Sequence, residues 1–147
     1  MQTDKTIIGR SDIIDLPDLN LFDIKAKIDS GAYTSAIHCT HIELRQSEQG
    51  QTVLHYTLAD QAHHQFQTTK FKKKRVKSSF GNLQERYIIS TNIILFGKTQ
   101  HIEFSLSNRG NMRYPILLGR KAIKNHFLID VAKKNLSYKA KTKGLHL

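Results

Sequence analysis

Apolar residues in this chain recur mostly at every second position, the period of a half-buried strand rather than of a helix. Phe22–Ile28 alternates apolar and polar, and a turn at Leu16-Pro17-Asp18 separates it from Thr6-Ile7-Ile8-Gly9. Ala36–Leu44 and Thr52–Leu58 flank Ser47-Glu48-Gln49-Gly50, which reads as a β-hairpin. Further strands are expected at Gln65–Phe71, Arg86–Thr91, Asn92–Leu95 and His101–Leu106, with Gly97-Lys98 as a turn. Tyr114–Leu118 is an apolar strand that stops at Gly119. The helix expected at Arg120–His126 follows it, then a strand at Phe127–Val131. The pattern predicts a mostly-β domain with one short helix near the C-terminus. No repeat or Pro/Ser-rich linker divides it, so a single domain is expected over residues 1–139, followed by a basic tail, 140–147, expected to be mobile.

The 147 residues suffice for one core, and no segment approaches the roughly 18 unbroken apolar residues of a membrane-spanning helix. The first twenty residues hold Asp4, Asp12, Asp15 and Asp18 and no continuous apolar run, unlike a secretory signal, and a cytoplasmic protein is expected. A lone cysteine, Cys39, can form neither an internal disulfide nor a Cys-rich zinc module. On a strand His38 and Cys39 point to opposite faces, and the chain has neither a His-Glu-x-x-His helix nor a Gly-rich phosphate loop. No metal or cofactor is expected.

Charge changes the picture more than composition does. Twenty-three Lys and Arg against 12 Asp and Glu give +11, and residues 1–30 carry a local −2, which leaves +13 for the remainder. The densest run is Lys70–Lys77, with Lys133, Lys134, Lys139, Lys141 and Lys143 near the end. Such runs call for an acidic partner, and nucleic acid is the default candidate for them; they also serve simply as solvated faces.

The segment richest in chemistry is Ala26–Ser35, where an apolar strand ends at Asp29-Ser30-Gly31-Ala32. Gly31 allows a tight turn and close backbone approach, Ser30 can hydrogen-bond nearby backbone, and Asp29 is thereby held rather than left free in solvent. Asp-Ser-Gly is equally an ordinary turn composition, so the triplet alone says little. About ninety residues later comes Tyr114-Pro115-Ile116-Leu117-Leu118-Gly119-Arg120. In this order the two segments resemble the retroviral-type aspartic peptidases. The similarity is closer still to a bacterial retropepsin-like family often labelled "ATP-dependent zinc protease" and associated with ATP-grasp ligases that add glutamates. Ile8-Gly9-Arg10, Ala26–His38, Val76–Gly81 with Glu85-Arg86-Tyr87, and Arg109–Arg120 carry that resemblance.

The resemblance implies a closed, retropepsin-like β-barrel and an aspartic endopeptidase, in which two Asp side chains share one proton. None of Asp4, Asp12, Asp15, Asp18, Asp23, Asp60 or Asp130 is followed by Ser/Thr-Gly, so a second Asp29 would come from a second copy in a homodimer. By the same resemblance Ser30 ties the two loops together, Gly31 gives close approach, Ala32 packs behind, and Leu118-Gly119 supports the loop. Retropepsins commonly carry an acidic residue where this chain has Tyr33, paired with the arginine matched here by Arg120; Glu85 or the C-terminal region is then an alternative partner. No glycine-rich flap is evident, only the polar stretch 60–81. The expected substrate is an acidic, glutamate-rich peptide or protein tail, with Lys72, Lys73, Lys74, Arg109, Arg113 and Arg120 as candidate contacts and an ATP-grasp ligase as functional partner. Two other readings stay open: a basic nucleic-acid-binding module with residues 70–77 tracking phosphates, and a catalytically silent peptide-binding domain of the same fold.

Overall fold

The computed structural model describes residues 5–58, 64–77, 81–108 and 113–144. Its strands are β1 (Thr6–Ile8), β2 (Ser11–Leu16), β3 (Leu21–Ile28), β4 (Ser35–Gln46), β5 (Thr52–Leu58), β6 (Gln65–Thr68), β7 (Lys72–Lys77), β8 (Leu83–Leu95), β9 (Lys98–Ser107), β10 (Ile116–Leu118) and β11 (Phe127–Ile129). Two helices, α1 (Arg120–Ile123) and α2 (Leu136–Thr142), lie toward the C-terminus. Six strands close on themselves in the order β10-β3-β2-β8-β9-β4, with β4 returning to pair β10. Closure removes the exposed edges that an open sheet of this size would present.

The alternation in the sequence maps onto this ring. Ile102, Phe104 and Leu106 of β9 point inward, as do Ile89, Ile93 and Leu95 of β8, and their neighbours other than Ser107 are more exposed. β10, parallel to β3 and antiparallel to β4, is buried at all three positions, so both of its faces are covered. A strand covered on both faces reads as a continuous apolar run, which Ile116-Leu117-Leu118 is. The two strands expected at 86–91 and 92–95 are one 13-residue strand, β8.

Three elements stand outside the ring. The far half of β4 continues with β5 and β6 as a three-stranded wing. β7 pairs β8, and from Leu83 to Tyr87 β8 is paired with β7 while its pairing to β9 begins at Ile88, so the hairpin projects as an arm. β1 and β11 form a separate parallel ribbon.

The expected helix at 120–126 stops at Ile123. Lys124 already leaves helical geometry with ψ 145°, and Asn125 follows in a left-handed conformation, φ 70°, which Asn tolerates better than most residues. α2 crosses residue 139, the boundary expected for a loose tail. Its first amides, Ser137 and Tyr138, donate to the Asp12 carboxylate at 2.9 and 3.1 Å, and Lys141 reaches Asp15 and Asp23 at 2.8 and 3.3 Å. Asp12 thus caps a helix from a distant part of the chain. Burial is the main influence on its carboxyl and pushes it above the ordinary value, and the backbone donors oppose that shift.

Candidate active site

The Asp29 loop hangs from the end of β3 and rests on β10 and α1. The Asp29 N–H donates to the Leu118 carbonyl at 2.8 Å, which continues the β3–β10 ladder one residue past the strand. The chain then turns, with Ala32 N–H on the Asp29 carbonyl at 3.3 Å. Gly31 N–H donates to Asp29 Oδ1 at 3.0 Å, so the carboxylate is oriented by the backbone of its own loop. A Cβ at position 31 would stand 3.2 Å from that same oxygen. Asp29 is half-buried, and Ser30 and Gly31 are exposed.

Beneath the loop, Gly119 is the closest point of contact. A Cβ there would come within 2.7 Å of the Tyr33 carbonyl oxygen and 2.9 Å of that of Ala32, so only glycine fits. The amides around it grip the loop: Arg120 N–H donates to Ala32 O at 2.8 Å, Lys121 N–H to Tyr33 O at 3.0 Å, and Gly119 N–H to the buried Ser35 Oγ at 3.0 Å. On the other side of β3, Ile28 N–H donates to Arg10 O at 2.9 Å. The sequence reading missed Ser35 and Arg10. A small hydroxyl residue where the loop re-enters a strand was the available signal for Ser35; Arg10 acts through its backbone and leaves no signal in residue type.

Asp29, Ser30, Gly31, Ala32, Leu118 and Gly119 are therefore brought together. Arg120 joins them by a route the sequence did not suggest. It does not pair with Glu85, whose carboxylate lies 3.6 Å from Lys73 Nζ; its Nη1 donates to Ser30 O at 2.9 Å and its guanidinium lies 5.7 Å from the Tyr33 ring centre. Lys124 Nζ approaches the same ring at 5.3 Å and the Tyr33 hydroxyl at 3.4 Å.

The candidate substrate contacts are more dispersed. Alternation along β7 puts Lys72 and Lys74 on one face and Lys73 on the other. Lys72 meets Glu103 at 2.7 Å, Lys73 meets Glu85 and lies over the Tyr87 ring at 6.0 Å, and Lys74 is exposed opposite Arg86. Arg113 is exposed, with its guanidinium 5.9 Å from the Tyr114 ring, and Arg109 lies outside the described residues. Glu103 also binds Lys121 at 2.7 Å; hydrogen bonds from Lys121 and then Lys72 hold its carboxyl down at about 2. That carboxylate links the arm to α1, and α1 to the loop.

Among the described residues no group of three or more His, Cys, Asp or Glu is placed to hold a metal ion. His38 is buried with Nδ1 3.3 Å from Ser107 O, and burial pushes the Cys39 thiol up to about 12. No described helix is long and apolar enough to cross a membrane.

A six-stranded closed barrel whose Asp-Ser-Gly loop sits on an apolar strand, a glycine and a helical turn is of the retropepsin-like class. The family model described as RimB-like, retropepsin-like aspartic endopeptidase RimB, matches residues 7–140, and the chain belongs to that family. Curated relatives include probable alpha-L-glutamate ligases of Shewanella halifaxensis, 34% identical over 140 residues, and Desulfotalea psychrophila, 36% identical over 132. The matches cover 88% and 87% of this chain but 29% and 28% of those relatives, so the chain spans under a third of their length. A crystal structure of a Legionella pneumophila protein of unknown function superposes with a TM-score of 0.71 at 28% identity, covering 92% of this chain and 99% of that one.

Proposed function

We propose that the protein is a homodimeric aspartic endopeptidase acting on acidic, glutamate-rich peptide or protein tails. The observation that carries this reading is a single Asp29 carboxylate, half-buried, oriented by Gly31 and seated on Leu118 and Gly119. In a two-fold dimer two such carboxylates share one proton. One takes a proton from water as its oxygen attacks the peptide carbonyl carbon, and the other protonates the amide nitrogen as the C–N bond breaks.

The β7–β8 arm, whose backbone from Leu83 to Tyr87 pairs with β7 rather than β9, is the candidate for the cover that the sequence did not locate. Lys74 on the arm and Arg120 at the loop are the cations offered to an acidic chain. Relatives named as glutamate ligases support a ligase as functional partner. Those same names favour a second reading, in which the domain holds an acidic tail for a ligase without cutting it.

Asp29→Asn separates the two. Incubated with a glutamate-extended peptide and followed by mass spectrometry, the endopeptidase loses turnover by about 10³-fold or more while its melting temperature stays close to that of the unaltered protein. Equal peptide binding and no cleavage by either protein would support the binding-only reading.

A further inference from the structure

We propose that Tyr33 is a positioning residue, its ring clamped by Arg120 and Lys124 so that the Asp29 loop is braced without any carboxylate in the brace. The reaction it positions for is the one proposed above, but the clamp itself is a property of the loop.

The geometry is specific. Tyr33 follows Gly31 by two residues and is 48% exposed, an unusual place for a large ring with no packing partner in the core. Its exposed ring is matched by two cations, Arg120 at the start of α1 and Lys124 at its C-cap, whose N–H donates to the Arg120 carbonyl at 2.8 Å. Arg120 has a second hold, through Nη1 on the carbonyl of Ser30, the residue next to Asp29. One guanidinium thus fixes the loop at its tip and at its exit, while the ring keeps that guanidinium in place.

An acidic residue at position 33 would pair with Arg120 only while ionised. A phenol, a guanidinium and an ammonium keep their charge states from about pH 3 to pH 8, whereas a carboxylate protonates near pH 4. The charged groups facing Tyr33 are Arg120, Lys124 and Lys121, the last also paired with Glu103, with Asp29 at the start of the loop. The clamp contains no carboxylate, so the brace on the loop does not depend on a carboxylate staying ionised.

The test is amide exchange by NMR, corrected for intrinsic rates, at pH 7 and pH 3.5. The reporters are Arg120 and Lys121, whose N–H groups hold the Ala32 and Tyr33 carbonyls. The unaltered protein and Tyr33→Phe keep the same protection at both pH values. Tyr33→Leu loses about tenfold at both, as expected for two exposed cation–aromatic contacts. Tyr33→Glu is protected at pH 7 and loses about tenfold at pH 3.5. Amides of the β4–β5 wing serve as the folding control and stay unchanged. Tyr33→Leu protection equal to that of the unaltered protein overturns the clamp; so does an acid loss in the unaltered protein as large as in Tyr33→Glu. Turnover is read separately: if exchange behaves as expected and no variant cleaves peptide, the clamp stands and the endopeptidase reading fails. If cleavage is seen, kcat of Tyr33→Glu falls on the acid side relative to the unaltered protein, with KM little changed.

Discussion

The Asp29 loop and the β7–β8 arm announce themselves equally loudly in the sequence, one as a motif and the other as a charge run, yet they are held by different forces. The loop is tied by backbone amides to Leu118, Ala32 and Tyr33 carbonyls over a glycine that tolerates no Cβ. The arm is held together by the β7–β8 backbone ladder, but beyond it the arm is fixed to the barrel by side chains, Lys72 to Glu103 and Arg86 to Ser107, with Lys72 73% exposed. Backbone bonds over a close contact fix geometry to fractions of an ångström, whereas exposed ion pairs are weak and screened by salt. A site that must hold a carboxylate still belongs on the first kind of support, and a surface that meets a flexible acidic chain can use the second.

Changes beneath the loop should break the molecule most. Gly119→Ala drives a methyl into two backbone carbonyls that cannot move aside, and denaturant unfolding should show a loss of about 3 kcal/mol. Ser35→Ala leaves the buried Gly119 N–H without its acceptor at a cost of about 1–2 kcal/mol, read in the same way. Neither change touches the arm, so arm amide exchange should be unaltered in both.

On the arm side the effects are smaller and depend on solution conditions. The Glu103 carboxyl lies at about 2 in the folded protein against an ordinary 4.5, so its stabilisation is complete above about pH 4.5 and disappears as pH falls through about 2. The melting temperature of Glu103→Gln should therefore fall below that of the unaltered protein at pH 7, and the two should converge at pH 2. Smallest of all, neutralising Lys74 should raise KM for an acidic peptide a few-fold, with an effect that shrinks as salt is added; Lys72→Ala, already committed to Glu103, should raise it less. A larger effect from Lys72 than from Lys74 would reverse the contrast drawn between paired and unpaired cations.

Much of this was legible along the chain. Period-two alternation located the barrel strands, because a strand with one face on the core shows its burial in its residue types. The all-apolar Ile116-Leu117-Leu118 announced a strand covered on both faces, and Asp29-Ser30-Gly31 with Leu118-Gly119 announced the loop and its support. What stayed hidden depended on pairings between distant residues. α2 is capped by Asp12, some 125 positions away, and no local capping residue marks its start. The charge run on β7 looked like one cationic surface, but the pleat splits it between two faces and two of its lysines meet carboxylates from β8 and β9.

The sequence by itself determined a mostly-β strand rhythm and, through the resemblance that its aspartate loop and its apolar strand ending in glycine carry, the class of the protein. Only the tertiary structure decided what each charged side chain does. Arg120 could be recognised as the loop's arginine from its place after Gly119, but that it rests on Tyr33 and Ser30 followed from α1 being packed against a loop about ninety residues earlier in the chain. Burial is written into a residue's own chemistry, whereas the partner of a long, flexible, charged side chain is set by whatever the fold places within its reach.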